Sequence, residues 1–182
     1  KNNLKTYWLI DPIDGTKEYI AGRDEYTLNA GLIINKLPAV GVIGVPKKNK
    51  IFYSFGKKNS FMLENNQVKK LDCKKKTPKG KIIALSNHIN PPEIILKKLE
   101  EFGVTSFRKL SSSYKYCVIA TGEYDLYLDK VRANEWDDAA GQAIAESAGA
   151  IVTSLENKFF EYGKEDYKNP TILIKRNKDL NA

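Results

Sequence analysis

Cysteine, histidine and methionine are all scarce in this 182-residue chain, which carries two, one and one of them respectively. Cys73 and Cys117 lack the paired spacing of a zinc site and are too few for a disulfide framework. A reducing cytoplasm, with the chain free or peripheral to the inner membrane, is therefore the simplest setting. No window approaches the roughly 18 apolar residues of a membrane-spanning helix, and Lys1-Asn2-Asn3-Leu4 does not begin a secretory signal. Acidic residues are outnumbered, 22 against 30 lysines and arginines, for a net charge of +8. The surplus sits in runs such as Lys47-Lys48-Asn49-Lys50 and Lys74-Lys75-Lys76 between expected strands, and nothing in the order gathers basic residues on one face with aromatic or amide readers. That pattern argues against a specific nucleic-acid surface and for a modest field that attracts small polyanions.

What is present fits one soluble domain with a sizeable core, with 42% apolar and 29% charged residues. Residues 7–10 read as a buried strand, and 27–34 with 39–45 as a hairpin about a turn at 35–38. Segments 51–55, 60–63 and 67–71 continue an antiparallel meander. Beyond a basic linker at 73–81, strands at 82–85, 105–110, 124–128, 150–154 and 171–174 are interleaved with helices at 91–102, 113–121 and 134–147. The expectation is a mixed α/β (α+β) protein. An antiparallel half, 1–80, and an α/β half, 81–182, together form one compact catalytic domain.

Two acidic strings carry the chemistry. Asp11-Pro12-Ile13-Asp14-Gly15-Thr16 follows directly on the first strand. Two carboxylates across one small turn can hold a hard divalent cation such as Mg²⁺, which takes oxygen ligands. Gly15-Thr16, if they open a helix, offer backbone N–H groups to a phosphate. Metal and phosphate at one strand end suit metal-assisted phosphoryl hydrolysis. Asp-Pro and Asp-Gly are also ordinary turn dipeptides, so this string alone leaves a plain turn open. The second string, Trp136-Asp137-Asp138-Ala139-Ala140-Gly141, starts the helix expected at 134. Its acids suit a first helical turn, and its small residues allow close packing.

Together, the run from Asp11 to Glu18-Tyr19 and the Trp136-Asp137-x-Ala139-Ala140-Gly141 string resemble the two signatures of the inositol monophosphatase-like, lithium-sensitive phosphatases. Thr16-Lys17-Glu18-Tyr19, Leu85-Ser86-Asn87-His88 and Ser111-Ser112-Ser113-Tyr114-Lys115-Tyr116-Cys117 are most similar to the 3′(2′),5′-bisphosphate nucleotidase branch. The likeness runs on to Asn169-Pro170 and so covers essentially the whole chain. It implies a layered α-β-α-β sandwich. The N-terminal helices are expected to be missing, because no initiator Met is present and six residues precede the first expected strand.

The resemblance further implies Mg²⁺-dependent hydrolysis of adenosine 3′,5′-bisphosphate to AMP and phosphate, with Li⁺ inhibition and a link to sulfur assimilation. Inositol 1-phosphate or another small sugar phosphate is the alternative substrate. By the same likeness, Asp11, the Ile13 main-chain carbonyl, Asp14 and Asp137 would hold two or three Mg²⁺ ions. Gly15 and Thr16 amides would grip the phosphate, and the Thr16 hydroxyl would help orient the attacking water. His88, Ser112 and Lys115 would contact substrate. Their plain readings are a strand-end histidine, a helix cap and a solvated lysine. Two departures stand out: no Glu-Glu segment precedes the first signature, and Asp129 stands where related nucleotidases often carry arginine, with Lys130 and Arg132 nearby. A metal- and phosphate-binding scaffold with impaired turnover is accordingly the alternative of another class. Apolar surface uncovered by missing helices would drive self-association.

Overall fold

Period-two alternation between Thr6 and Lys70 builds one antiparallel sheet of six strands. They are β1 (Thr6–Asp14), β2 (Thr27–Ile34), β3 (Leu37–Val45), β4 (Lys50–Phe55), β5 (Ser60–Glu64) and β6 (Gln67–Lys70), in spatial order β1 to β6. The computed structural model describes residues 4–74, 82–128, 133–178 and 180. Lys75, Lys76, most of the basic linker, Asp129, Lys130 and Arg132 lie outside the described residues. β1 is longer than expected and runs through both motif carboxylates. Asp11 pairs with Asn29 and Asp14 with Thr27, and the register shifts between them. That irregularity accommodates Pro12, which has no ladder donor to give.

The second half is a mixed sheet of β7 (Ile82–Ser86), β8 (Val104–Lys109), β9 (Leu126–Leu128), β10 (Ile151–Ser154) and β11 (Ile172–Lys175), ordered β10-β11-β9-β7-β8. β7 runs parallel to β8 and β9, where helices make the crossovers, whereas β9, β11 and β10 pair antiparallel. Four helices complete the described residues: α1 (Thr16–Ile20), α2 (Glu93–Glu101), α3 (Tyr114–Ala120) and α4 (Glu135–Ala148). None is long and apolar enough to cross a membrane.

Two facts of packing place the elements that carry the acidic strings. α3 and α4 lie between the sheets in the largest core, with Ile43, Phe52, Leu85, Tyr116, Ile119, Ile144, Val152 and Ile174. α2 covers the far side of the second sheet through Ile95, Leu99 and Phe102 against Ala84, Leu126, Leu128 and Leu173. The order is therefore sheet, helices, sheet, helix. α4 comes down on the first sheet at two glycines. A Cβ on Gly41 would stand 2.2 Å from Ala140 O, and one on Gly31 would stand 2.7 Å from Ala139 Cβ. Gly31 and Gly41 are thus needed for the close approach of α4 at Ala139 and Ala140, which seats the start of α4 next to the end of β1.

The other face of the first sheet is open. Trp8, Ile10 and Phe55 are 52, 62 and 52% exposed there. Register continues the patch across Leu32, Val42 and Ile51, and Tyr53, Phe55 and Phe61 stack at centroid distances of 5.4–6.5 Å. A fixed joint ties the chain after β6 to the second sheet. Arg176 Nε donates to Asp125 Oδ1 at 2.8 Å and its Nη1 to Cys73 O at 3.0 Å, all three residues being buried.

Candidate active site

Asp11, Asp14 and Asp137 meet. One carboxylate oxygen from each lies within 4.8 Å of the others, and all three are half-buried. β1 supplies the first two. Asp11 Oδ1 accepts the Ile13 amide at 3.0 Å, which closes a tight local turn. Gly15 then takes the left-handed conformation, φ +80°, that a side chain would resist, and α1 begins at Thr16. The Thr16 hydroxyl donates to Ile13 O at 3.2 Å. Asp137 comes from the first turn of α4, where its Oδ2 accepts the Asn134 amide at 2.7 Å.

Asp14 is held by one oxygen. Its Oδ2 accepts from Ser113 N (2.5 Å), Ser113 Oγ (2.6 Å), Thr27 Oγ1 (3.3 Å) and Asn29 Nδ2 (3.4 Å). Among the described residues Oδ1 takes none of these bonds, which leaves that oxygen for a cation. The Ser113 hydroxyl also lies within hydrogen-bond reach of Asp137 O and accepts from Asn29 Nδ2 at 3.0 Å. Ser113 therefore couples the carboxylate from β1 to the start of α4.

Electrostatics favours a bound cation. Burial pushes the Asp11 carboxyl up to about 6, helped by the charges of Asp14 and Asp137 and opposed by the Ile13 amide. Burial also raises Asp137, with Asp14 adding to it and the Asn134 amide opposing. Three crowded carboxylates are costly when ionised and unpaired. An all-oxygen set of this kind fits a hard divalent ion.

Beside the cluster is a cavity of about 140 Å³ lined by Asp14, Asp137, Asn87, Ser111, Lys115, Tyr127 and Asp138, among others. Lys115 is only 5% exposed, and its Nζ lies 5.4 and 5.2 Å from the ring centres of Tyr116 and Tyr127. Lys115 is thus a cavity cation rather than a solvated lysine. Ser112 packs beneath the Gly15 turn, fully buried, and its hydroxyl accepts the Tyr114 amide at 3.3 Å. Its neighbour Ser111 lines the cavity instead. His88 is exposed, its amide donating to Ser86 Oγ at 3.2 Å, while the preceding Asn87 lines the cavity.

Thr27 and Asn29 escaped the sequence reading, while Ser113 and Asp138 stood there only inside longer strings, with no role of their own. A usable signal existed for two of them. Thr27 and Asn29 occupy the inward face of β2 with Gly31 and Ile33, and polar side chains on an inward face need partners. Ser113 and Asp138 gave no such sign, since serine and aspartate are ordinary at helix starts.

Comparison with known proteins agrees with this geometry. All 182 residues match the inositol monophosphatase family. The chain is 34% identical over 175 residues to the 3′(2′),5′-bisphosphate nucleotidase CysQ of Escherichia coli K12, spanning 96% of this chain and 70% of that protein. The crystal structure of CysQ from Bacteroides thetaiotaomicron, a bacterial member of the inositol monophosphatase family, superposes with a TM-score of 0.82 at 28% identity, covering 95% of this chain and 70% of that one. An inositol monophosphatase from Zymomonas mobilis shares the fold, with a TM-score of 0.81 at 18% identity over 99% of this chain and 69% of its own. With both acidic strings at one site and the match running from end to end, this chain belongs to the inositol monophosphatase family.

Proposed function

We infer that the chain is a Mg²⁺-dependent phosphomonoester hydrolase of the 3′(2′),5′-bisphosphate nucleotidase type, converting adenosine 3′,5′-bisphosphate to AMP and phosphate. The convergence of Asp11, Asp14 and Asp137 beside the Gly15 turn carries this reading. The name of the Escherichia coli relative supports the nucleotide substrate.

Asp11, Asp14, Asp137 and the Ile13 carbonyl would hold two or three Mg²⁺ ions, which polarise phosphoryl oxygens and make water a better nucleophile. The chain's own groups do the rest. Gly15 and Thr16 amides orient the phosphate, and the Thr16 hydroxyl, already at the Ile13 carbonyl, helps to aim the attacking water. Lys115 offers its ammonium to an anionic oxygen inside the cavity, where low dielectric strengthens the attraction. Substrate contact at His88 would be made from the cavity margin, next to Asn87, whereas Ser112, buried beneath the Gly15 turn, would support the phosphate-binding turn from behind. The two free, buried thiols suit a cytoplasmic setting. The open sheet face supports self-association.

Phosphate release with Mg²⁺ is the test, using adenosine 3′,5′-bisphosphate against inositol 1-phosphate and fructose 1,6-bisphosphate. The nucleotide should be preferred, Li⁺ should inhibit, and Asp137→Asn should lose at least about a hundredfold. Preference for a sugar phosphate would move the assignment to that substrate. Binding of Mg²⁺ and phosphate without release from any ester would make the chain a scaffold.

A further inference from the structure

The cavity beside the acidic cluster contains, next to the Lys115 cation, a buried anion that the hydrolytic chemistry leaves unused. Lys115 and Asp138 both line it. The Lys115 ammonium makes one long hydrogen bond, 3.4 Å to Ser112 O, and so keeps donor capacity for a ligand. Asp138 is 1% exposed. Its Oδ1 accepts from Tyr116 Oη at 2.9 Å, and its Oδ2 accepts from Asn169 Nδ2 at 2.9 Å. An ionised carboxylate has about four acceptor sites, so two internal donors leave capacity on both oxygens.

Tyr116 and Asn169 explain how this anion is held. They do not explain why an anion is there, because a buried carboxylate carries a desolvation cost that a neutral side chain avoids. A donor cation and an acceptor anion in one small wall form a matched set for a ligand with an anionic oxygen next to a hydroxyl. The volume of about 140 Å³ is below the 300 Å³ or so of a drug-sized pocket, so it takes a phosphate and the adjoining ring hydroxyl rather than a whole nucleotide.

We propose that Asp138 is a specificity-determining residue, accepting a hydrogen bond from a substrate hydroxyl while Lys115 takes an anionic oxygen of the same molecule. The cavity then selects phosphate esters of polyhydroxylated alcohols, a ribose or a cyclitol, over their deoxy counterparts. The assignment rests on the phosphatase reading of the acidic cluster, and its test keeps the two apart.

Calorimetric titration with Ca²⁺ in place of Mg²⁺ avoids any need for turnover. The ligands are inorganic phosphate, adenosine 3′,5′-bisphosphate and its 2′-deoxy analogue. The ribose compound should bind about tenfold more tightly than the deoxy one, as befits a hydrogen bond to a charged acceptor. Asp138→Asn should bring that ratio below about threefold. Tyr116→Phe frees Asp138 Oδ1 and should keep or raise the ratio, even if Asp138→Asn fails to fold. Lys115→Met should weaken both bisphosphates and leave the ratio intact. Equal binding of the two bisphosphates by the unaltered chain, or a fall in the ratio in Tyr116→Phe, overturns the role given to Asp138. No binding of inorganic phosphate with Ca²⁺ overturns the phosphatase reading itself.

Discussion

The two sheets meet solvent differently. The second has helices on both sides, and β9 and β11 are buried at every position. The first is covered on one side, so β2 alternates buried and open residues, and its open residues are largely apolar. A strand buried on both faces has no outward register to keep, whereas a half-covered strand writes its register into every second residue. The clustered carboxylates use that difference. Asp11 and Asp14 sit at the end of the half-covered sheet, and Asp137 starts the helix held between the two.

The largest expected effect separates the sheets directly. Leu128→Ala, in the second sheet, should cost about 2–5 kcal/mol in urea denaturation, against less than about 1 kcal/mol for Ile10→Ala on the open face. Equal costs would erase the contrast.

Next comes the cation. Mg²⁺ at a hundred times its dissociation constant should add about 2.7 kcal/mol of stability at neutral pH. Without metal, stability depends on pH through Asp11. The folded state holds the Asp11 carboxyl at about 6, above its ordinary 3.8, so it binds the proton more strongly than the unfolded chain does. Stability without Mg²⁺ should therefore fall as pH rises from about 4 to 6, by the linkage between proton binding and folding. Thermal melts across that range, with and without Mg²⁺, check both signs.

Ser113→Ala should weaken metal binding about 10–100-fold, equivalent to about 1.4–2.7 kcal/mol, with the secondary structure retained. Unchanged affinity would mean that Asp14 is fixed by its strand alone. The smallest effect on stability, under about 1 kcal/mol, belongs to Trp8→Lys with Ile10→Lys. That pair should nevertheless abolish concentration-dependent association in sedimentation analysis. Association that survives it would place the contact elsewhere.

Legibility followed the same divide. β2 lies where alternation put it, and the acidic strings were readable as one site because together they resemble the two signatures of one family, although each alone passes for a turn or a helix start. The ends of β1 were not readable, since pairing with β2 carries the strand past Pro12 to Asp14. The serine-rich run was readable, but the bond from Ser113 to Asp14 was not, for a related reason: Asp14 lies 99 residues earlier in the chain. Asp138 passed as helix-start chemistry because only folding gives it Tyr116 and Asn169 as neighbours.

The joint at Cys73 has a further consequence. Burial pushes its thiol up to about 11, while Arg176 pulls weakly the other way. Only the thiolate attacks electrophiles, so this sulfur stays chemically silent while Arg176 remains clasped to Asp125. A covalent adduct on Cys73 would thus be a record of molecules caught ajar, with the strap after β6 pulled away from the second sheet.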